Sequence, residues 1–128
     1  MKRDFRLTRS TDFKRVRSSG RSYAHPLVVL VAIPSAALRT SPAAENEPGE
    51  ALPSRVGVTA GRSVGGAVQR NRAKRLLREA MRTLLASIHP GWDLILIARH
   101  PLPEATYLQV QAALSQLMRR ANLFKPQT

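Results

Sequence analysis

Apolar positions are sparse near the start of the chain, where they lie in a polar and basic stretch. Phe13 and Val16 fall on one side of a helix predicted over residues 11–18, for which Ser10 is a candidate N-cap. Gly20 follows, and glycine is the residue that most often ends a helix. The pattern predicts one short helix with a narrow apolar side.

The longest apolar run, residues 27–33, is rich in β-branched side chains and predicts a buried strand. Residues 55–59 resume β-type residues and predict a second strand. Between them, residues 35–53 are rich in Ala, Pro, Ser and Glu and carry too little apolar surface to offset the entropy of ordering. We therefore predict a flexible loop over residues 35–53 that joins two neighbouring antiparallel strands.

Residues 66–87 show the most extended helical periodicity, with apolar side chains recurring at spacings of three and four. The apolar stripe consists of Ala73, Leu77, Ala80, Met81, Leu84, Leu85 and Ile88. The flank away from the stripe and the expected first turn are both basic. The flank carries Lys74, Arg75, Arg78 and Arg82, and the first turn carries Arg70 and Arg72.

Two further elements complete the pattern. Residues 92–98, Trp-Asp-Leu-Ile-Leu-Ile-Ala, predict a buried strand. Thr106, with Gln109 three residues later, forms a capping box, so a last helix is predicted over residues 107–121. Its apolar face consists of Tyr107, Val110, Leu114, Leu117, Met118 and Ala121.

The resulting order is helix, strand, strand, helix, strand, helix, which predicts helices layered against a small mixed sheet. The strand, basic helix, strand unit implies a crossover between parallel strands, and the general rule for such units favours a right-handed one. The length of 128 residues is that of one domain. We expect a single domain over residues 1–128.

The composition indicates a polyanionic partner. The 21 Lys plus Arg against 8 Asp plus Glu give a formal net charge of +13. Charge alone leaves nucleic acid, an anionic membrane and an acidic protein open. There is no cysteine, which excludes disulfides and thiolate metal sites. Neither an export signal nor a membrane-spanning run is visible, so we expect a soluble cytoplasmic protein without a membrane partner.

The cations are concentrated in two stretches, with eight in residues 2–21 and eight in residues 55–82. In the second stretch, Arg70, Asn71 and Arg72 come directly after a glycine-containing run at the expected helix start. The helix dipole disfavours cations there by roughly 0.3 to 1 kcal/mol each, so their presence calls for an anion. Free N–H groups, glycines and arginine forks are typical of a phosphate site. The alternative is a solvated helix face.

Phe13 has two interpretations. It lies among Arg9, Lys14, Arg15 and Arg17, and an aromatic ring in a basic helix is typical of a stacking platform for a single-stranded base. A lone phenylalanine on a short helix is more often a core anchor. The residues alone favour the core.

Catalysis by the chain itself has little support. There is neither a close pair of carboxylates nor a cluster of metal ligands in the sequence. His25, His89 and His100 each precede a proline, which biases them towards extended geometry in turns or strand ends. A metal-independent ribonuclease that uses two of them as acid and base stays a minor alternative.

The stretch of residues 55–79 closely resembles the signature of the bacterial ribonuclease P protein subunit. The most specific part is Arg70-Asn71-Arg72, followed by Lys74-Arg75-Leu76 and Arg78. Supporting matches are Arg6-Leu7, Asp12-Phe13 with Val16, Gly20-Arg21, and residues 93–99. The resemblance covers nearly the whole chain outside the loop.

This resemblance implies an α+β sandwich in which a small mixed sheet of about four strands packs against helices, as in some ribosomal proteins. It also implies a left-handed crossover instead of a right-handed one. The implied function is that of a ribonucleoprotein that removes the 5′ leader of precursor tRNA, with hydrolysis by the catalytic RNA and its Mg²⁺ ions. The chain then has no catalytic residue, holds no metal or other cofactor, and has the catalytic RNA and precursor tRNA as partners.

In that family the cleft between the first helix and the sheet receives the single-stranded leader, which gives Phe13 the stacking role. The implied leader-binding residues are Phe13, Arg9, Arg17, Val31, Arg70 and Asn71. The implied catalytic-RNA-binding residues are Arg62, Arg72, Lys74, Arg75, Arg78 and Arg82. A ribosomal or architectural nucleic-acid-binding protein with no role in cleavage is the second hypothesis, and the helix-start motif favours the first.

Overall fold

The computed structural model describes residues 10–35 and 54–125, apart from the side chains of Ser10 and Asp12. Arg9 and residues 36–53 of the predicted loop lie outside the described residues. The helices and strands are α1 (Ser10–Ser19), β1 (Arg21–Ala24), β2 (Val28–Pro34), β3 (Arg55–Ala60), α2 (Ala67–Leu84), β4 (Trp92–Ala98) and α3 (Tyr107–Arg120). Short 3-10 helices at Arg62–Val64, Leu85–Ser87 and Leu102–Glu104 connect some of them.

The strands form one mixed sheet in the order β1, β2, β4, β3. β2 is antiparallel to β1 and to β4, whereas β3 is parallel to β4. The prediction that the two strands flanking the loop are neighbours is therefore wrong, because β4 lies between them. Leu94, Ile95 and Leu96 of β4 are fully buried, as expected for an inner strand that is covered on both faces of the sheet.

The residue pattern does not reveal β1. Arg21, Ser22 and Ala24 are exposed, and the strand pairs with β2 at the edge of the sheet. An edge strand with so little buried surface shows no apolar alternation in its sequence. With β1 included, the sheet has the four strands that the resemblance implies, and the α+β class is confirmed.

α2 connects the parallel strands β3 and β4, which confirms the predicted crossover, while its hand stays a prediction. The predicted apolar stripe of α2 faces the core, since Ala73, Leu77, Ala80 and Met81 are fully buried. Among the described residues, no helix combines the length and the apolar character needed to cross a membrane.

The capping box predicted for α3 is confirmed. The Gln109 N–H donates to Thr106 Oγ1 at 3.2 Å, and the Thr106 N–H donates to Gln109 Oε1 at 2.9 Å. These two bonds satisfy backbone groups that would otherwise be unpaired at the helix start. The bounds of α3 and β4 therefore follow closely from the sequence pattern.

The sheet is covered by α2 and α3 on one face and by α1 on the other. Leu30 and Leu96 belong to the larger core with α2 and α3, whereas Val31 and Ile95 belong to the smaller core under α1. This alternation follows from the two-residue period of a strand. Because α1 is short, it covers part of its face and leaves the rest partly exposed.

The two ends of the sheet differ in their neighbouring elements. At one end, which we call the α2 end, β3 and β4 finish at Ala60 and Ala98, and α2 starts a few residues after β3. At the other, which we call the Asp93 end, the two strands begin with Arg55 opposite Asp93. In α/β sheets, ligands bind outside the carboxyl ends of parallel strands, which favours the α2 end as the site.

Candidate nucleic-acid interface

The start of α2 presents backbone N–H groups that no side chain caps. Gly66 is the N-cap without a side-chain hydrogen bond, and the first turn contains no acidic residue. The Arg70 N–H donates to Gly66 O at 2.9 Å as the first bond of the helix. The N–H groups of residues 67–69 therefore have no acceptor within the helix, and together with the helix dipole they favour an anion.

The arginines lie slightly farther along α2 than the sequence pattern predicts. Because α2 begins at Ala67, Arg70 closes the first turn and Arg72 belongs to the second, so the prediction is wrong for Arg72. The physical reason is the length of a turn: about 3.6 residues from Ala67 reach Arg70, and Gly65, whose φ of 140° favours glycine and cannot belong to a helix, prevents an earlier start. Arg62 lies before this glycine, exposed in a 3-10 helix.

Arg70 carries a side-chain N–H group that has no partner among the described residues. Its side chain is partly buried, and its Nε atom is shielded from water without a hydrogen-bond acceptor in the described part of the chain. Such a group costs on the order of 1–3 kcal/mol. Few buried polar groups lack a partner in folded proteins, and those that do often serve a function. A phosphate oxygen is an acceptor that also matches the charge of the guanidinium group.

The cations of α2 form two rows along the helix. The inner row is partly buried and consists of Arg70, Lys74 and Arg78, spaced four residues apart. The outer row is exposed and consists of Arg72, Arg75 and Arg82, with Asn71 exposed beside its start. Arg78 already makes a contact of its own and is not a free cation. The predicted basic flank of α2 is therefore present, but its members differ in how available they are.

Members of the outer row differ in their partners as well. Arg72 Nε donates to Pro103 O at 2.8 Å, which ties α2 to the 3-10 helix after β4. Arg82 Nη2 lies 3.2 Å from Glu79 Oε2, and both side chains are exposed. Arg75 makes neither a hydrogen bond nor an ion pair with any described residue. Arg75 thus offers the outer row's most available charge.

Beside α1, part of the sheet face that this helix covers stays accessible. Val29, Ile97 and Thr59 are in register across three strands and are only partly buried, so they form its floor. Phe13 borders this floor, half-buried, with the Cζ end of its ring against Gly57. We call this surface the α1 groove. The sequence pattern misses Gly57, because the contact depends on how α1 lies across the sheet.

The other predicted leader-binding residues are placed differently. Val31 is 3% exposed and lies beneath α1, where a side chain at Gly20 would overlap it, so Val31 belongs to the core. Val31 therefore offers the leader almost no contact surface, and its implied role in leader binding stays a prediction. Arg17 is exposed on α1. Arg70 and Asn71 lie on α2, on the other side of the sheet, near the end of β3.

The histidines lie at two different ends of the sheet. His25 precedes β2 and His100 follows β4, which places both at the α2 end. His89 lies at the Asp93 end, where its backbone N–H donates to Leu123 O at 2.7 Å. His25 Nδ1 accepts a hydrogen bond from the Leu27 N–H at 3.1 Å. His89 is therefore separated from the other two by the length of β4, and it cannot form an acid and base pair with either.

Comparison with known proteins identifies the family. A sequence profile described as Ribonuclease P matches residues 1–122. The chain belongs to the ribonuclease P protein family. The ribonuclease P protein component of Herpetosiphon aurantiacus is 40% identical over 124 residues, which are 97% of this chain and 89% of the relative. That of Chloroflexus aurantiacus is 38% identical over an alignment of 129 residues that covers 100% of this chain and 85% of the relative.

The fold of this chain is similar to solved structures of the ribonuclease P protein. The protein from Staphylococcus aureus superposes with a TM-score of 0.72 at 28% identity, covering 94% of this chain and 98% of that one. The protein from Thermotoga maritima gives a TM-score of 0.69 at 27% identity, covering 90% and 96%. Membership of the ribonuclease P family makes the chain a subunit of a tRNA-processing ribonucleoprotein, an endoribonuclease with RNA as a partner.

Proposed function

We propose that this subunit binds both the catalytic RNA of ribonuclease P and the 5′ leader of precursor tRNA. It thereby supports endonucleolytic removal of the leader to give the mature 5′ end of the tRNA. Hydrolysis is assigned to the catalytic RNA and the Mg²⁺ ions that this RNA holds. The protein contributes binding and positioning, and none of its side chains acts on the scissile bond.

The observation that carries the proposal is the buried Nε of Arg70, which has no acceptor among the described residues, beside the uncapped start of α2. Backbone N–H groups and a guanidinium together match the several oxygens of one phosphate. RNA supplies such phosphates at every nucleotide, so the α2 end is suited to a nucleic-acid backbone.

The catalytic RNA is assigned to the exposed side of α2. The outer row lies on that side of α2, Arg62 lies exposed in the 3-10 helix before it, and Arg75 has no competing partner among the described residues. Lys74 of the inner row adds a further cation. Arg78 adds to the total positive charge of this flank of α2. A helical row of cations recognises the backbone of RNA without reading its bases.

The leader is assigned to the α1 groove, because Val29 and Ile97 make most of its floor apolar. Single-stranded bases can stack on an aromatic ring and lie on apolar surface, whereas a duplex keeps its bases stacked on each other. Phe13 supplies the ring and the exposed Arg17 a cation close to it. Arg70 and Asn71 then meet the leader where it leaves the groove at the α2 end, and Arg9 stays a prediction.

The cytoplasm is the proposed location, because newly transcribed precursor tRNA is found there in bacteria. Neither the catalytic RNA nor its Mg²⁺ requires a metal site in the protein. A purely architectural RNA-binding role and a self-sufficient ribonuclease are the two other outcomes that an experiment has to distinguish.

Cleavage of precursor tRNA by the catalytic RNA at low Mg²⁺, with and without the protein, tests the proposal. The proposal expects efficient cleavage with the protein and little cleavage without it, because the protein holds the substrate when metal screening is weak. An architectural protein would bind RNA without raising the rate. A self-sufficient ribonuclease would cleave without the catalytic RNA and lose activity in the His25→Ala or His100→Ala variants.

A further inference from the structure

We infer that Gly57 is a positioning residue for the leader, because its missing side chain provides the space in which the ring of Phe13 rests. This inference depends on the proposed role of the α1 groove in leader binding. Gly57 itself would not contact the leader's bases. It would act through Phe13, by fixing how far the ring projects above the floor of the groove.

The contact between Phe13 and Gly57 is close and symmetric. A Cβ atom placed on Gly57 would overlap Phe13 Cζ and would lie 3.0 Å from both Cε1 and Cε2. Real Cβ atoms essentially never approach another heavy atom as closely as this added Cβ would approach Phe13 Cζ. The ring and a side chain at residue 57 therefore cannot occupy this space together. The far end of the ring therefore lies where any other residue would place its side chain.

The backbone at Gly57 gives no other reason for a glycine. Gly57 lies within β3, paired with Ile95 of β4, and its φ is outside the left-handed region that favours glycine. Glycine weakens the interior of a strand because it has no side chain to pack and loses more entropy on folding. A buried strand glycine with ordinary backbone geometry thus indicates that another group needs the space.

The consequence concerns the α1 groove. Val29, Ile97 and Thr59 form its floor in the row next to Gly57 and Ile95. If alanine replaced Gly57, the ring of Phe13 would have to lift away from β3, either into the groove or together with α1. In both cases the stacking surface would move relative to the floor on which a leader nucleotide rests. The substitution would then weaken leader binding while leaving the catalytic RNA's surface on α2 unchanged.

A cycle of four proteins tests this inference: the wild type, Gly57→Ala, Phe13→Ala and the double variant, each assembled with the catalytic RNA. KM and kcat are measured for two precursor tRNAs, one with a leader of several nucleotides and one with a single-nucleotide leader. We expect Gly57→Ala to raise KM about fivefold for the long leader, within the range that base stacking contributes, and less than about twofold for the short one. In the Phe13→Ala background, Gly57→Ala should have no further effect.

Gly61→Ala is the matched control, because it adds the same methyl group where nothing lies within 4 Å. We expect it to change KM for neither substrate. Equal losses for both leaders in Gly57→Ala, no loss at all, or an additional loss in the Phe13→Ala background would overturn the inference. If Gly57→Ala alone does not fold, the double variant decides, since it should fold and match Phe13→Ala. If Phe13→Ala itself shows no leader-dependent loss, the proposed leader site fails as well.

Discussion

The two ends of the sheet use arginine in opposite ways. At the Asp93 end, Arg55 donates from Nε to Asp93 Oδ1 at 3.1 Å and from Nη2 to Oδ2 at 2.8 Å. Ser35 Oγ adds a bond to Oδ1 at 2.9 Å, and Asp93 is 0% exposed. At the α2 end, Arg70 keeps a buried Nε without an acceptor among the described residues. The arginine at the Asp93 end is paired with an acid of the protein, whereas the arginine at the α2 end is suited to an anion from another molecule.

This difference shows why a net charge alone does not locate a binding surface. Both ends contain arginine, and the sequence does not state which of the 21 cations has an internal partner. The positions of the few acids determine which arginines have an internal partner. A buried carboxylate binds a neighbouring arginine, and that arginine then has a structural role. An arginine held by a buried carboxylate in this way is not available to RNA.

The largest expected effect is at the Asp93 end. Asp93→Asn removes the charge that holds Arg55, so we expect the free energy of unfolding to fall by about 2–4 kcal/mol. Urea unfolding measures it. Glu79→Gln is the control, since its pair with Arg82 is exposed and should contribute less than about 0.5 kcal/mol. Equal losses in the two variants would contradict the distinction between an internal and a surface pair.

Arg70→Ala should have the largest effect on RNA binding at the α2 end. We expect affinity for the catalytic RNA with precursor tRNA to fall about tenfold, and the slope of log K against log salt to shrink by about 0.7 to 0.9, as for one lost phosphate contact. The free energy of unfolding should stay the same or rise, because an unsatisfied N–H disappears. A large loss of stability with an unchanged slope would make Arg70 a structural residue.

Arg72→Ala should combine a structural and a binding effect. Its bond to Pro103 O predicts a loss of about 1 kcal/mol in the free energy of unfolding, in addition to weaker RNA binding. Arg75→Ala is the matched comparison on the same helix face, and it should weaken binding without altering stability. Urea unfolding and filter binding measured on both variants test this, and identical behaviour of the two would be evidence against it.

The smallest effect is expected for Arg82→Ala. Glu79 partly neutralises Arg82, so the salt slope should change less than in Arg75→Ala, and stability should change by less than about 0.5 kcal/mol. The double variant Glu79→Gln, Arg82→Ala separates the two contributions. A slope change as large as that of Arg75→Ala would mean that the RNA displaces Glu79.

The elements that depend on local pattern are the ones that the sequence predicts well. The stripe of α2, the run of β4 and the capping box of α3 are each encoded within a few turns or residues. β1 and the strand order depend instead on pairing between distant segments. That is why β4 lies between β2 and β3 although the loop suggests that those two are neighbours.

The candidate site divides in the same way. The basic flank of α2 follows from helical periodicity, and it is present. The burial of Val31 under α1, the bond from Arg72 to Pro103 and the space at Gly57 all depend on tertiary packing. These contacts cannot be predicted from residue spacing. The sequence therefore identifies the cations without showing which of them have a partner within the protein.

The most direct test of this account compares two double variants that remove the same charge. Arg70→Gln with Arg75→Gln, and Arg119→Gln with Lys125→Gln, each lower the formal net charge of +13 by two. Binding to the catalytic RNA is measured from low to high salt for both. We predict that the slope shrinks by about 1.4 to 1.8 for the first pair and by less than about 0.3 for the second. Equal changes would show that net charge, and not the cations of α2, binds the RNA.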